Sequence, residues 1–410
     1  MTDITIRKLE GDEKLEAMYA LNAYAFHATP PLMNKDEWKE NVRHREGVTY
    51  LALFEDARPV AGAAGTAMLQ QVRGKLFDAN GIWAVATAPA ARRKGYCRSV
   101  MAQLLSTLRE DGQAFSCLYP FRESFYERLG YVTFPLPRTG RLTPAVLLPL
   151  LEQDLGGQIE LLPMGDGYDT YRDYVDRLRQ RTHGMAMFVG GDKFAAQRSN
   201  FWLALAKVNG ELVGLMLYQI KGDEIAQFLF RATRFYYDTS QAKYLLLQWI
   251  ARHADQASQV EIGLPPFEQP ETWLSDLQVK TESAIRAAMC RVLDVNKIGG
   301  MQIGPGHFTA RITDPFCSWN EGIWQFKSVD GTLQVARADE AGCSLSIQAL
   351  TALAYGTHDP GDFAIRGWSD PSPQVQATMR TMFPPRVPYL RVFLIWGRAN
   401  VKGRIHLNNP

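Results

Sequence analysis

The chain has 410 residues, 46% hydrophobic and 21% charged, which suits a globular protein of two or three domains. Its 45 basic and 43 acidic residues leave a net charge of +2, too balanced to mark a nucleic-acid or acidic-membrane partner. The N-terminus lacks the apolar stretch of a secretory leader, and no apolar run approaches the ~18–20 residues that span a bilayer, so a cytoplasmic protein is expected.

In chain order, the patterning predicts a strand at 4–9, helices at 13–26 and 35–45, and strands at 49–54, 59–72 and 77–87. The polar turn Glu55-Asp56-Ala57-Arg58 joins the first two of those strands as a hairpin. Residues 90–111 read as one long helix, with Pro89 near its start and Val100, Leu104, Leu105 and Leu108 at helical spacing. A strand at 114–119, a short helix at 123–129 capped by Gly130, and a strand at 131–134 follow. Three prolines and a glycine between 135 and 144 predict a linker.

A second segment repeats part of the first. Leu51-Ala52-Leu53 leads to Gly62, and Leu203-Ala204-Leu205 leads to Gly214, both over 11 residues with a polar turn between. A strand at 226–237 and a helix at 240–254 come next. A third segment opens near Arg291-Val292-Leu293-Asp294, with strands at 308–313, 322–327 and 332–337 and a helix at 346–354 ending at Gly356. It reads as an α+β unit. The five cysteines (Cys97, Cys117, Cys290, Cys317, Cys343) and the seven histidines are dispersed without ligand spacing, so reduced thiols and no metal are expected.

The chemistry concentrates between Gly81 and Arg98. A strand runs through Val85-Ala86-Thr87 and a proline turn into the start of a helix, at Arg92-Arg93-Lys94-Gly95-Tyr96-Cys97-Arg98. A helix start leaves about four amide N–H groups without intrahelical partners and carries the positive end of the macrodipole. Flanking cations and a glycine with no Cβ to obstruct approach suit a pyrophosphate. The plainer alternative, a basic first turn with a packing glycine, has to explain three cations in a row that oppose the dipole.

The pattern Val85-x-x-x-Pro89-x-x-Arg92-Arg93-x-Gly95 resembles motif A of the GNAT acetyltransferase superfamily, R/Q-x-x-G-x-G/A, with Cys97 at the position of the last small residue. Phe125-Tyr126-Glu127-Arg128-Leu129-Gly130-Tyr131 resembles the later Tyr-x-x-x-Gly-Tyr/Phe signature. With the weaker second copy and the third segment, the whole chain resembles the enhanced intracellular survival family of bacterial aminoglycoside and protein-lysine N-acetyltransferases. That resemblance implies a mixed α/β (α+β) fold: a catalytic GNAT domain over 1–140, a degenerate GNAT-like domain over 141–290, and a sterol-carrier-protein-like domain with a C-terminal tail over 291–410. It implies acetyl-CoA as co-substrate, an amine acceptor, no metal, and a homo-oligomer, hexameric by family habit. It further implies that backbone groups of Val85, Ala86 and Thr87 hold the pantetheine arm, that residues 92–98 wrap the pyrophosphate, and that Tyr126 protonates the departing thiolate. Phe121 and Arg122 stand where relatives carry a Ser-Glu pair that meets CoA. The helix near Lys243 has no Arg-x-x-Gly, so the second copy reads as a scaffold.

The acceptor pocket is expected from residues 24–29, 33–38 and the chain end. Tyr24, Phe26, His27 and Trp38 make it aromatic, with Asp36 and Glu37 as its acids. In the resembled family the terminal carboxylate serves as general base after a Pro-aromatic stretch. Here residues 383–393 resemble that ending, but the chain continues for 17 residues, from Leu394 to Pro410. Two expectations stay open: Pro410 delivers the carboxylate, or the tail lies outside and another group takes the proton. A non-catalytic acyl-CoA or lipid-binding protein is the alternative function.

Overall fold

The computed structural model describes residues 3–391, except residues 28 and 225 and the side chain of residue 27. Phe393, Leu394 and Pro410 lie outside the described residues.

The first unit starts with β1 (Ile4–Lys8), α1 (Gly11–Asn22), a π-helical turn (Ala23–His27) and α2 (Lys35–Arg43). β2 (Val48–Glu55), β3 (Arg58–Val72) and β4 (Lys75–Thr87) form an antiparallel meander. α3 (Tyr96–Glu110) then crosses over to β5 (Phe115–Leu118), which lies parallel to β4. α3 holds to the sheet through Val100, Met101, Leu104, Leu105 and Leu108, all buried at the spacing of one helix face. α4 (Glu123–Glu127) and β6 (Val132–Thr133) follow.

The second unit repeats this order. It holds β7 (Arg138–Leu142), β8 (Gln158–Pro163), α5 (Tyr168–Arg181), β9 (Ala186–Phe188), α6 (Lys193–Gln197), β10 (Trp202–Val208), β11 (Glu211–Lys221), β12 (Phe228–Tyr237), α7 (Ser240–Ala251), β13 (Ala257–Leu264) and β14 (Lys280–Ser283). β10, β11 and β12 are antiparallel, and β13 returns parallel to β12 after α7. The two sheets run β1-β2-β3-β4-β5-β15-β6 and β8-β10-β11-β12-β13-β7-β14, where β15 is Met289–Val292. The first sheet takes two strands from beyond the first unit: β9 of the second unit pairs with β3 at Met68–Gln70, and β15 comes back to lie between β5 and β6, while β7 lies between β13 and β14 in the second sheet.

The linker expected at 135–144 thus contains a sheet strand. Arg-Thr-Gly-Arg-Leu carries one large apolar residue and no alternation to announce it; Arg141 holds it with ion pairs to Glu261 (3.0 Å) and Glu282 (2.9 Å) on its neighbours. The repeat is real in topology but slipped in detail. Ala52 faces Gly62, whereas Ala206 faces Gly214, because the second hairpin turns one residue later.

The third unit is a four-stranded sheet of β16 (His307–Thr313), β17 (Gly322–Val329), β18 (Thr332–Arg337) and β19 (Cys343–Ser346), with α8 (Ile347–Tyr355) and α9 (Pro373–Met382). α8 starts on the side-chain cap of Ser346 and stops at Gly356 in the left-handed region (φ 71°), where glycine meets no Cβ penalty. Its core is continuous with one face of the first sheet: Val72, Phe77 and Phe115 share a cluster with Leu350, Leu353, Tyr355 and Phe363. Among the described residues no helix is long and apolar enough to cross a membrane.

Candidate active site

β4 outruns β5. The two pair from Ala79↔Phe115 to Ile82↔Leu118, and β5 stops there while β4 continues to Thr87. Just past that point Ala84 takes φ 53°, and the register with β3 slips between Gly62 and Ala64, a β-bulge that turns the strand. Beyond it Ala86 and Thr87 still pair with β3, but among the described residues the opposite edge of 85–87 faces no strand. The bulge also sorts side chains. Trp83 packs on the α1–α2 core, edge-on to Tyr50 at 5.7 Å, whereas Val85 packs on the α3 core that holds Tyr126.

The single helix expected over 90–111 is broken. Pro89–Ala91 is a 3₁₀ turn, residues 92–95 are a loop, and α3 begins at Tyr96. Arg93 (φ 65°) and Gly95 (φ 84°) are both left-handed, which a right-handed helix cannot include. Gly95 is the N-cap and supplies no side-chain acceptor, and the first turn of α3 has no acid. A Cβ on Gly95 would meet nothing within 4 Å, so the glycine serves its φ and keeps the space before the helix start open.

The three cations divide their roles. Lys94 donates to Glu55 on β2 at 2.8 Å, and Tyr96 donates to the same carboxylate at 3.0 Å. The hydrogen bond from Lys94, then that from Tyr96, holds the Glu55 carboxyl below its usual range. Arg92 reaches the Thr87 carbonyl at a long 3.4 Å and lies 5.9 Å from the ring centre of Tyr24. Arg93 and Arg98 are exposed beside the loop.

Tyr126, on α4, is 3% exposed. Its ring meets Phe125, Phe121 and Tyr131 edge-on, with centroids 5.0, 5.5 and 5.9 Å away. Burial pushes its phenol well above the ordinary tyrosine value, and the nearby Cys97 thiol adds to the shift. Burial also raises the Cys97 thiol to about 11, offset in part by a hydrogen bond with Thr87. A thiol that stays protonated at neutral pH is a poor nucleophile. Phe121 and Arg122 are exposed at the start of α4, Phe121 leaning on Tyr126 and Arg122 forming the N-cap without a side-chain bond.

Of the residues expected to line an acceptor pocket, Tyr24 and Phe26 are exposed and Trp38 is buried. Trp38 packs against α1, edge-on to Tyr19 at 5.6 Å. Asp36 and Glu37 sit in the first turn of α2, where their N–H groups bond the Asn34 side chain and their charge complements the helix dipole. The side chain of His27 lies outside the described residues. Two further groups were not singled out from sequence. Trp83 carries Arg45 4.5 Å from its ring centre. Tyr119, directly after β5, donates to the Leu390 carbonyl at 2.9 Å. Neither belongs to a motif, and both are placed by long-range pairing.

The second unit is a control built into the chain. Ala88 donates to Val60 at 2.8 Å, and Asp238 donates to Val213 at 2.8 Å in the same way. From there α3 begins only at Tyr96, whereas α7 begins at Ser240. No loop precedes α7, and Thr239 caps it by accepting from the Ala242 N–H. Tyr236 and Tyr237 stand on the strand before it, and Lys243 is packed against Tyr237, Tyr244 and Trp273.

Comparison with known families matches residues 5–134 to an acetyltransferase (GNAT) domain and residues 301–391 to a sterol carrier protein domain. Among solved structures the chain is similar to a conserved protein of Enterococcus faecalis described as a probable N-acyltransferase, at 20% identity and TM-score 0.81, covering 96% of this chain and 100% of that one. It is similar to a GCN5-related N-acetyltransferase of Kribbella flavida at 20% identity and TM-score 0.77, over 96% and 99%. Eis1 of Mycobacterium abscessus is similar at 17% identity and TM-score 0.75, over 95% and 100%. At these identities the likeness is one of fold, along nearly the whole chain. No curated protein sequence matches it significantly.

Proposed function

The chain carries a GNAT acetyltransferase domain over residues 5–134 and a sterol carrier protein domain over 301–391, and on that footing we propose that it transfers acetyl from acetyl-CoA to a primary amine. The observation that carries this reading is the unpaired edge of Val85-Ala86-Thr87 leading to a helix start whose cap, Gly95, supplies no acceptor, with Tyr126 buried behind it.

In this reading the pantetheine arm pairs with residues 85–87 as a strand would. Amides of residues 93–98 hold the pyrophosphate, aided by Arg92 and Arg93. The neutral amine attacks the thioester carbon, and an N–H of the 85–87 edge stabilises the oxyanion. As the C–S bond breaks, the thiolate takes the Tyr126 proton, and solvent restores it. Burial that keeps the phenol protonated suits that role. The proton released by the amine goes to water or to a carboxylate of the chain end. A homo-oligomer belongs to the same reading; light scattering at about 46 kDa would remove it.

The test is calorimetry with acetyl-CoA, followed by thiol release with a panel of aminoglycosides, polyamines, amino acids and lysine peptides. Binding with no thiol release for any amine would favour a non-catalytic acyl-CoA binder, and no binding would refute the site.

A further inference from the structure

The outer face of α3 meets the third unit at the loop 314–320, between β16 and β17. That loop is fixed from inside. The buried Asp314 carboxylate accepts from Arg291, from Asn320 at 2.8 Å and from the Cys317 N–H at 3.2 Å. Trp319 and Asn320 donate to the Leu293 carbonyl at 2.8 and 3.1 Å. Cys317 is fully buried in the same core as Tyr126.

A loop held this firmly fixes its outward rings. Phe316 and Trp319 both pack on that core, as do Tyr96 and Cys97. Each carries an arginine of α3: Arg98 lies 5.6 Å from the Phe316 centroid, and Arg109 lies 5.3 Å from that of Trp319. Arg109 also has a carboxylate, Asp294 at 3.1 Å. Arg98 stands in the first turn of α3, where a cation opposes the helix dipole unless an anion sits there.

We propose that Phe316, from the sterol carrier protein domain, is a positioning residue for the co-substrate: its ring holds the Arg98 guanidinium beside the phosphate groups of acetyl-CoA at the start of α3. The proposal rests on acetyl-CoA binding in the first domain. An arginine already held on a ring loses less freedom when it meets a phosphate, so the ring lowers the cost of binding without touching the thioester. The third domain then contributes one side chain to co-substrate binding in the first. The neighbouring pair, Trp319 and Arg109, makes the same kind of contact about three turns further along α3, away from the phosphates.

The experiment measures the Kd of acetyl-CoA by calorimetry. It also measures kcat and KM with the best acceptor of the amine panel, using acetyl-CoA and acetyl-pantetheine, which has the thioester arm without the nucleotide. Phe316→Leu keeps apolar bulk and removes the ring. It is expected to raise Kd and KM for acetyl-CoA about two- to fivefold, leave kcat unchanged, and leave KM for acetyl-pantetheine unchanged. Phe316→Tyr restores the wild-type values. Trp319→Leu lowers the melting temperature without moving either KM. If Phe316→Leu misfolds, Arg98→Gln reads the same donor-selective loss, and Phe316→Tyr tests tolerance at the ring. Unchanged acetyl-CoA affinity in folded Phe316→Leu, or an equal loss for both donors, overturns the proposal. Absence of acetyl-CoA binding in the wild-type chain would instead remove the reading on which it rests.

Discussion

The Tyr119 hydroxyl donates to the Leu390 carbonyl at 2.9 Å, tying the last described stretch of chain to the end of β5, where the first sheet opens. The same stretch is held by the second unit: Tyr389 donates to His183 at 2.9 Å, and Arg391 donates to Thr233 at 3.2 Å. Thr233 follows Ala232, the last residue of β12 paired with β13, so one segment lies across the open ends of both sheets. Tyr119 is exposed along much of its surface, so the segment is held there by this one hydroxyl and not by packing around the ring. Tyr119→Phe removes a bond worth about 1 kcal/mol. Amide exchange at Tyr389 is expected to quicken about fivefold, with exchange in α3 unchanged; no change at Tyr389 would show that the bond anchors nothing.

The anchored segment ends two residues before Phe393. A chain stopped at Phe393 ends on a free carboxylate two residues beyond Arg391, and under the proposed function it is expected to keep or raise kcat/KM, with acetyl-CoA binding intact. A chain stopped at Asn409 should match the full chain. Abolished turnover in the first, with fold and binding preserved, would assign the base to the Pro410 terminus.

One acetyl-CoA per chain is expected. Gly95→Glu puts a side chain and an anion at the cradle and should abolish binding. The apo fold loses only the strain of a non-glycine at φ 84°, roughly 1–2 kcal/mol. Calorimetry of wild type and variant decides the point; a stoichiometry of two, or residual binding in the variant, would locate a site in the second unit, against its capped α7.

Much of this was legible in local sequence. Gly95 and Tyr126 stand in spaced motifs, and the helix period of α3 shows at Val100, Leu104, Leu105 and Leu108. What escaped is set by distant partners. β7 is a strand because its backbone pairs with β13 and β14, where Arg141 meets Glu261 and Glu282, and β15 comes from after the second unit to pair with β5. Trp38, on α2, resembles a pocket aromatic until its packing against Tyr19 of α1 buries it. The break at 92–95 depends on the φ of Arg93, a conformation to which arginine gives no signal.

Tyr126→Phe should keep acetyl-CoA affinity and lose turnover by about 10²–10⁴-fold. Because burial raises the phenol, activity is not expected to fall through its deprotonation below about pH 10. Wild-type turnover in the variant, measured where chemistry limits the rate, would remove the role.

The last prediction concerns His183, which joins all three units. Its Nδ1 accepts from the Arg73 N–H at 3.1 Å, in the turn between β3 and β4, and its Nε2 lies 2.9 Å from the Tyr355 carbonyl on α8. That geometry requires the neutral Nε2–H tautomer. Burial lowers its pKa to about 4; the Tyr355 carbonyl opposes the shift, and Arg73 and Arg386 add to it. The unfolded chain, titrating near 6.5, therefore binds a proton that the folded chain refuses. Stability is full above pH 6.5 and is lost as the pH falls toward 4, about 2 kcal/mol of it by pH 5. In His183→Gln the amide oxygen can accept from Arg73 and the amide nitrogen can donate to Tyr355, with no charge to titrate. Urea midpoints at pH 7.5 and pH 5 should therefore differ less in the variant than in the wild type. Taking that difference cancels His358, which burial also lowers to about 4. Equal pH sensitivity in both proteins would mean that His183 is not buried neutral at this junction.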